Sequence, residues 1–307
     1  MKKLFYNILL LLFLIFIVLI ILLSTIGIET KSFNDLIISK IYQSNNNIKI
    51  KLETIKFKLD IKKFDLFLET ANSNIDYRNS EIPIKNIKVF TDIKSLLLAD
   101  PKIEKVNIEL EKINLKQLQK LTNNFKPSNF KNFINNNIID GKFGINIQIF
   151  PDKQNVMENF IVKGTVNDLK TKITNDILFE NTNFNFFADK TDVLIKDLKS
   201  KSSFFEIYEG DLLIKLSENI QLNSNFKSTL KYDRNSSYLS NLFSDSQFVK
   251  DLEFLQADLN NIIKINFDQT YKIKTYNVKI NGNLSKALLN FEKSYSNLIT
   301  KNKINNF

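Results

Sequence analysis

Ile55-Lys56-Phe57-Lys58-Leu59-Asp60-Ile61-Lys62-Lys63-Phe64-Asp65-Leu66-Phe67-Leu68 carries apolar residues at every second position in two runs: Ile55, Phe57, Leu59 and Ile61, then Phe64, Leu66 and Leu68. The residues between them are mostly Lys and Asp. Side chains alternate between the two faces of a strand, so this spacing predicts two half-buried antiparallel strands. Outward from this stretch the same period recurs, before it in Ile48/Ile50/Leu52 and after it in Ile75/Tyr77, Ile82/Ile84, Ile87/Val89, Val106/Ile108/Leu110 and Phe143/Ile145/Ile147/Ile149. It returns in Phe160/Val162, Phe184/Phe186, Val193/Ile195, Leu212/Ile214/Leu216, Ile263/Ile265/Phe267 and Val278/Ile280.

Helical spacing is confined to a few places. Phe33, Leu36, Ile37, Lys40 and Ile41 follow Ser32, a plausible N-cap, and predict a short amphipathic helix. Further helices are predicted over Ile93 to Leu98, Leu115 to Phe125 and Tyr238 to Leu259, the last with Leu242, Val249, Leu252 and Leu255 on one face. Regular βαβ order is absent, which argues against a parallel doubly wound sheet. With 6 Gly and 4 Pro, the turns fall to Asn, Asp and Ser.

At the N-terminus, Ile8 to Leu23 are sixteen consecutive Ile, Leu, Phe and Val residues inside a charge-free run from Leu4 to Ile28. At 1.5 Å per residue that run is about 37 Å of helix, enough to span a bilayer. It is too long for the apolar core of a cleaved signal peptide and lacks an Ala-x-Ala-like site, so an uncleaved anchor is expected, with Leu9, Leu12, Phe16 and Ile20 facing lipid. Lys2 and Lys3 precede it, while Glu29 and Lys31 balance after it. The positive-inside rule then puts the N-terminus in the cytoplasm and the bulk of the chain beyond the inner membrane.

Composition removes most catalytic schemes. Among 307 residues there is no His, Cys or Trp, so imidazole acid/base chemistry, thiol nucleophiles, disulfides and the common zinc sites are excluded. A Ser/Lys hydrolase through Ser95 has only the presence of both residue types behind it. The pairs Glu109/Glu111 and Asp192/Asp197 read as solvated charge, with Glu109 and Glu111 on a polar strand face. No calcium-loop spacing occurs, so no enzyme activity, metal or cofactor is expected. Net charge is +10, but only Arg78 and Arg234 are Arg, and the Lys residues alternate with Ile, Leu and Phe instead of clustering. Nucleic acid is therefore not an expected partner.

The order of these parts resembles the AsmA-like family of bacterial envelope proteins, with its TamB and YhdP types. An anchor leads into Phe33-Asn34-Asp35-Leu36-Ile37, then the strands of Ile55 to Leu68, then Ile82-Pro83-Ile84-Lys85-Asn86-Ile87. Asp92-Ile93-Lys94-Ser95-Leu96-Leu97-Leu98 follows, and then Pro101 to Leu110. Phe160 to Leu169 and Tyr276 to Leu284 each place a Gly, Gly164 and Gly282, after alternating residues, like degenerate strand repeats of that family. The resemblance implies a mainly β fold: an N-terminal transmembrane helix, then an elongated, curved antiparallel β-sheet forming a β-groove, with a few short amphipathic helices. It divides the chain into an anchor at 1–28, an N-terminal AsmA-like α+β region at 29–125, and a β-groove repeat region at 126–307 with a helix near 238–259.

Function follows from the resemblance as an expectation. A groove with an apolar inner face shelters phospholipid acyl chains and carries them between inner and outer membrane through the periplasm of a Gram-negative envelope, contributing to outer-membrane biogenesis. The residues expected on that face are Phe57, Leu59, Leu66, Leu68, Ile108, Ile145, Ile147, Phe184, Phe186 and Ile214. An ordinary β-sandwich core accounts for the same alternation, and from the residues alone both remain open. The helix near 238–259 is open among packing, partner binding and a lid over the groove. A structural or assembly factor that binds an outer-membrane or periplasmic protein through the same sheet is the alternative function.

Overall fold

The computed structural model describes residues 2–31, 34–35, 38–39, 42, 48–52, 54–62, 65–71, 73–78, 80–91, 102–124, 127–151, 159–174, 177–216, 219–234, 252–268, 272–289 and 302–304. The fold is mainly β, and every pairing with a described register is antiparallel. The chain forms two compact units. Unit 1 is Met1–Ile113, Lys120–Phe125 and Gly144–Val162; unit 2 is Asn114–Gln119, Lys126–Phe143 and Lys163–Phe307.

Unit 1 begins with α1 (Lys2–Thr25). Among the described residues it is the one helix long and apolar enough to cross a membrane, and none of it is buried within the protein. The hydroxyls of Ser24 and Thr25 donate back to the Ile21 carbonyl at 3.0 and 2.7 Å, so the last turn presents no unpaired hydroxyl proton to an apolar surrounding. Gly27, at φ 75°, stops the helix, and its N–H and that of Ile26 both reach the Leu22 carbonyl. A Cβ at Gly27 would also lie 2.9 Å from the Phe57 carbonyl oxygen, so glycine is needed for the close approach as well as for the turn. Strand β1 (Ile28–Thr30) starts at once and pairs with β3 (Ile55–Asp60), Ile28 opposite Phe57.

The other strands of unit 1 are β2 (Ile48–Lys51), β4 (Asp65–Ala71), β5 (Asn74–Tyr77), β6 (Ser80–Thr91) and β7 (Ile103–Leu110). They are followed by β8 (Ile113–Asn114) and β9 (Ile138–Ile149), the latter shared with unit 2. Pairing runs β1–β3–β4–β6–β7–β9 in one sheet, while β2, β5 and Ser80–Pro83 of β6 form a second. The alternation in Ile82/Ile84 and Ile87/Val89 therefore belongs to one strand of 12 residues that passes from one sheet to the other. Pro83 sits at that passage and its carbonyl accepts from Glu111 N–H at 2.9 Å. Ile55, Leu68, Ile75, Ile84, Ile87, Val89 and Leu110 make the core, with Ile50 and Ile82 of the second sheet packed against it.

Asn34–Asp35, Ile38–Ser39 and Tyr42 are helical, as the spacing predicts; Phe33, Leu36, Ile37, Lys40 and Ile41 lie outside the described residues, as do Ile93 to Leu98 and Ser95. The helix predicted from Leu115 is α2 (Leu115–Asn123). Its N-terminus is capped reciprocally: Gln117 Oε1 accepts from Asn114 N–H and Asn114 Oδ1 from Gln117 N–H, at 2.9 and 3.0 Å. A helix absent from the periodicity reading, α3 (Asn129–Asn136), follows in unit 2, with Ser128 as its N-cap.

Unit 2 continues as a meander: β10 (Phe160–Lys172), β11 (Leu178–Ala188), β12 (Asp192–Lys201), β13 (Phe205–Leu216), β14 (Ile220–Asp233), β15 (Leu252–Phe267), β16 (Ile273–Leu289) and β17 (Asn302–Ile304). Each pairs with its sequence neighbour, and no described pairing joins the last strands to the first, so the sheet is open and not a closed barrel. Asp168, Asn181 and Asp197, one in each of β10, β11 and β12, have positive φ of 53°, 50° and 57°. Asn and Asp tolerate that region best after Gly, and at Asn181 and Asp197 the β11–β12 register shifts.

The helix expected over Tyr238 to Leu259 is corrected where it is described: Leu252 to Leu259 are the first half of β15, and 235–251 lie outside the described residues. The physical cause is a bulge. Leu252 pairs with Leu289 and Phe254 with Leu288, leaving Glu253 as an extra residue. That insertion brings Leu252 onto the face of Leu255 and Leu259, so spacings of three and four imitate a helix. Gly164 and Gly282 likewise fall inside β10 and β16 and do not follow them.

Candidate functional site

Cross-strand registers convert the alternation into rows. In unit 1 one row reads Ile28–Phe57–Leu68–Val89–Val106–Ile149, crossing β1, β3, β4, β6, β7 and β9. The next reads Thr30–Ile55–Thr70–Ile87–Ile108–Ile147. Seven of the ten residues expected on an apolar inner face lie here: Phe57, Leu59, Leu66, Leu68, Ile108, Ile145 and Ile147. Much of this face is a packed core. Leu68 is buried within it, and Phe57, Ile108 and Ile145 pack against the cluster that includes Ile75 of the second sheet.

The opposite face of the same sheet is charged and aromatic. Glu69 is held by Lys58 at 2.7 Å and Lys88 at 3.3 Å. Burial works to raise the Glu69 carboxyl, but the Lys58 hydrogen bond and the charges of Lys88 and Lys58 outweigh it and hold the group below its ordinary value. Phe67 and Phe90 lie beside them with ring centroids 5.2 Å apart, and the Lys88 and Lys105 ammonium groups sit over these rings. Glu109, paired with Lys85 at 2.6 Å and hydrogen-bonded by Asn86, is also lowered, chiefly by the Lys85 bond.

In unit 2 two rows cross six strands. The first is Ala188–Val193–Ile214–Leu222–Ile265–Tyr276; the second is Phe186–Ile195–Leu212–Ser224–Ile263–Val278. Of the expected residues Phe186 and Ile214 belong to them, and Phe184 shares the face of Phe186, two residues along β11. Every member from Ala188 to Ile265 is half-buried, and on β16 Tyr276 reaches 74% exposure and Val278 49%. The reverse face carries Lys196, Asp211, Lys215, Gln221, Asn223, Lys264, Asn266 and Asn277 at intervening positions, and between them the row Phe187–Leu194–Leu213 is apolar over β11 to β13. Asp211 there pairs with Lys196 and accepts from the Asp197 N–H, while Asn185 donates to Asp197 at 2.9 Å. One face is thus apolar along both rows but for Ser224, and the other is mixed, an apolar patch of Phe187, Leu194 and Leu213 among charged and amide groups.

Beside the apolar rows two buried polar pairs interrupt the same face, with Ile207 between them. Thr182 and Ser200 hydroxyls bond at 2.6 Å, and Asn261 donates to Ser228 Oγ at 2.8 Å. All four are buried, so their polarity is satisfied within the sheet. The members that sequence reading did not assign to the site are Val193, Ile195, Leu212, Leu222, Ile263, Ile265, Tyr276 and Val278. Leu222 lies on β14, whose Leu222, Phe226, Leu230 and Tyr232 alternate with polar residues and carried the signal.

No family model matches the chain, and no curated protein or solved structure matches it significantly.

Proposed function

We propose that this chain is a non-enzymatic, AsmA-like lipid carrier. In this reading α1 anchors it in the inner membrane with the N-terminus cytoplasmic, and the strands lie in the periplasm. The apolar face of unit 2 holds phospholipid acyl chains on their way between the two membranes of a Gram-negative envelope. The observation that supports it is the pair of apolar rows over β11 to β16, interrupted only at Ser224, half-buried from β11 to β15 and exposed on β16. Five inter-strand steps of about 4.8 Å make the rows about 24 Å long. One leaflet contributes about half of a hydrocarbon core of about 30 Å, so a whole acyl chain fits along the rows. A contiguous apolar surface of this kind, rimmed by polar groups, is where soluble proteins bind apolar partners.

The test uses a photoreactive side chain placed at Ile214 or Ile195 in one series and at Lys215 or Lys196 in another, in the full chain within its membrane. Lipid adducts, read by mass spectrometry, are expected at the first two positions and not at the second two. Equal labelling of both faces, or none at Ile214 and Ile195, would rule out the carrier reading.

Strand β16 favours a second reading, a factor that binds another envelope protein. Ile273, Tyr276, Val278 and Ile280 are 59, 74, 49 and 55% exposed, and beyond β15 the strand's described partner is β17 at Ala287–Leu289. An added strand would complete this edge. Photoreactive groups at Tyr276 would then give a protein adduct in place of lipid.

A further inference from the structure

The junction between α1 and the first sheet carries a further inference, which rests on the reading of α1 as a membrane anchor. Only Ile26 and Gly27 separate Thr25, the last residue of α1, from Ile28, the first of β1. β1 runs antiparallel to β3, Thr30 opposite Ile55 and Ile28 opposite Phe57. Residues of β3 beyond Phe57 therefore advance towards the side from which the anchor arrives. Contact bears this out: α1 touches β3, and a Cβ placed on Gly27 would meet the Lys58 side chain at 2.7 Å and the Phe57 carbonyl oxygen at 2.9 Å. From Lys58 to Ile61 is three residues, about 10 Å of extended chain.

Ile61 and Lys62, which follow β3, thus lie level with the last turns of the anchor. Its chemistry suits that depth. Ile61 is 49% exposed, and Ile26 and Ile28 on the neighbouring segment are 63% and 53% exposed, three branched apolar side chains left about half open or more. Lys62 follows Ile61, and its backbone N–H is tied to Asp60 Oδ1 at 3.0 Å. Apolar side chains beside a long cationic one, whose ammonium can rise to the headgroups, are what the boundary between acyl chains and headgroups accepts. α1 is 24 residues, about 36 Å, some 6 Å more than the hydrocarbon core, so its last turn already stands at this boundary.

We propose that the β3–β4 hairpin is a second membrane contact: Ile61, with Ile26 and Ile28, sits in the interfacial layer of the leaflet where α1 ends. Unit 1 is then held at two points, and its sheet edge meets the lipid surface directly.

The chain's lack of Trp and Cys makes the test clean. Ile61→Trp, Phe16→Trp and Tyr208→Trp variants of the full chain are reconstituted in phosphatidylcholine bilayers brominated either near the top or near the end of the acyl chains. Expected is strong quenching of the Trp at position 16 by the deep label and several-fold quenching at position 61 by the shallow label. Position 208, exposed in unit 2, stays unquenched. Because a Trp seeks interfaces by itself, Ile61→Cys carrying an environment-sensitive fluorophore is measured alongside, and a blue-shifted emission is expected. Quenching at 16 with none at 61, or a fluorophore at 61 that reports water, overturns the hairpin contact and leaves the anchor standing. No quenching at 16 overturns the anchor and this contact together, whereas failure of lipid labelling at Ile214 leaves both untouched.

Discussion

Glu69 lies between lysines of the two strands that flank it, Lys58 of β3 and Lys88 of β6. Its pKa is lowered in the folded protein, so the ionised carboxylate adds stability above its unfolded pKa. That stability is lost as pH falls through the folded value. Glu69→Gln is expected to unfold at lower urea than the parent at pH 7, with the difference shrinking below the ordinary carboxylate range. Urea titrations at several pH values check this, and a constant difference down to strongly acid pH would contradict it. Gly282 argues from space instead of charge. A Cβ there would run into the Asp258 carbonyl and come 2.7 Å from Leu259 Cδ2 across the β15–β16 pair. Backbone cannot yield as a side-chain tip does, so Gly282→Ala should cost about 1–3 kcal/mol, read as a lower urea midpoint. Sequence reading marked this glycine only as the end of a repeat, because nothing in composition reveals an opposing carbonyl.

Strands rich in Ile, Leu and Phe were legible wherever one register held from end to end. Phe57, Leu59, Leu66 and Leu68, and Phe143 to Ile149, fall on strands with the predicted faces, whereas Ile61 lies in the turn after β3 and Phe64 outside the described residues. β14 escaped because Asn223, Ser224, Asn225 and Ser228 dilute its alternation, although Ser228 turns inward and is buried against Asn261. The first half of β15 was misread for the opposite reason: one inserted residue turned a period of two into an apparent helix. Bulges at Asn181 and Asp197 are equally silent in sequence, since Asn and Asp fill surface turns as readily. Helix α3 was also hidden, its eight residues being mostly Asn, Phe and Lys; its signature was the cap, Ser128 Oγ accepting from Lys131 N–H at 3.1 Å. Ser128→Ala should destabilise unit 2 by about 1 kcal/mol, and Ser128→Asp should restore it; thermal unfolding of the three chains decides.

Across the whole chain, the apolar alternation serves two different ends. In unit 1 Leu68, Ile75 and Ile84 are 6–7% exposed, and the second sheet packs onto the first in the manner of a sandwich core. In unit 2 the same kind of residue stays half-exposed along six strands. Sequence alone could not divide them, because burial by another layer depends on where β2 and β5 turn back, not on the period of β3 or β13. A substitution should tell the faces apart. Leu68→Asp places a charge in a packed core and is expected to abolish folding of unit 1, whereas Ile265→Asp is expected to leave circular dichroism near that of the parent and to remove lipid labelling at Ile214. Unfolding by both, to the same extent, would mean that the unit 2 rows are a core as well.

The meander of unit 2 also has a consequence in time. From β11 to β16 each strand bonds to the one made just before it, so none must wait for a partner synthesised later. Closing a short hairpin costs little chain entropy, and local pairings form quickly. A chain that emerges N-terminal strands first can therefore lay down this sheet in order, each newly finished strand serving as the template for the next, with the longest wait between β14 and β15, which residues 234–251 separate.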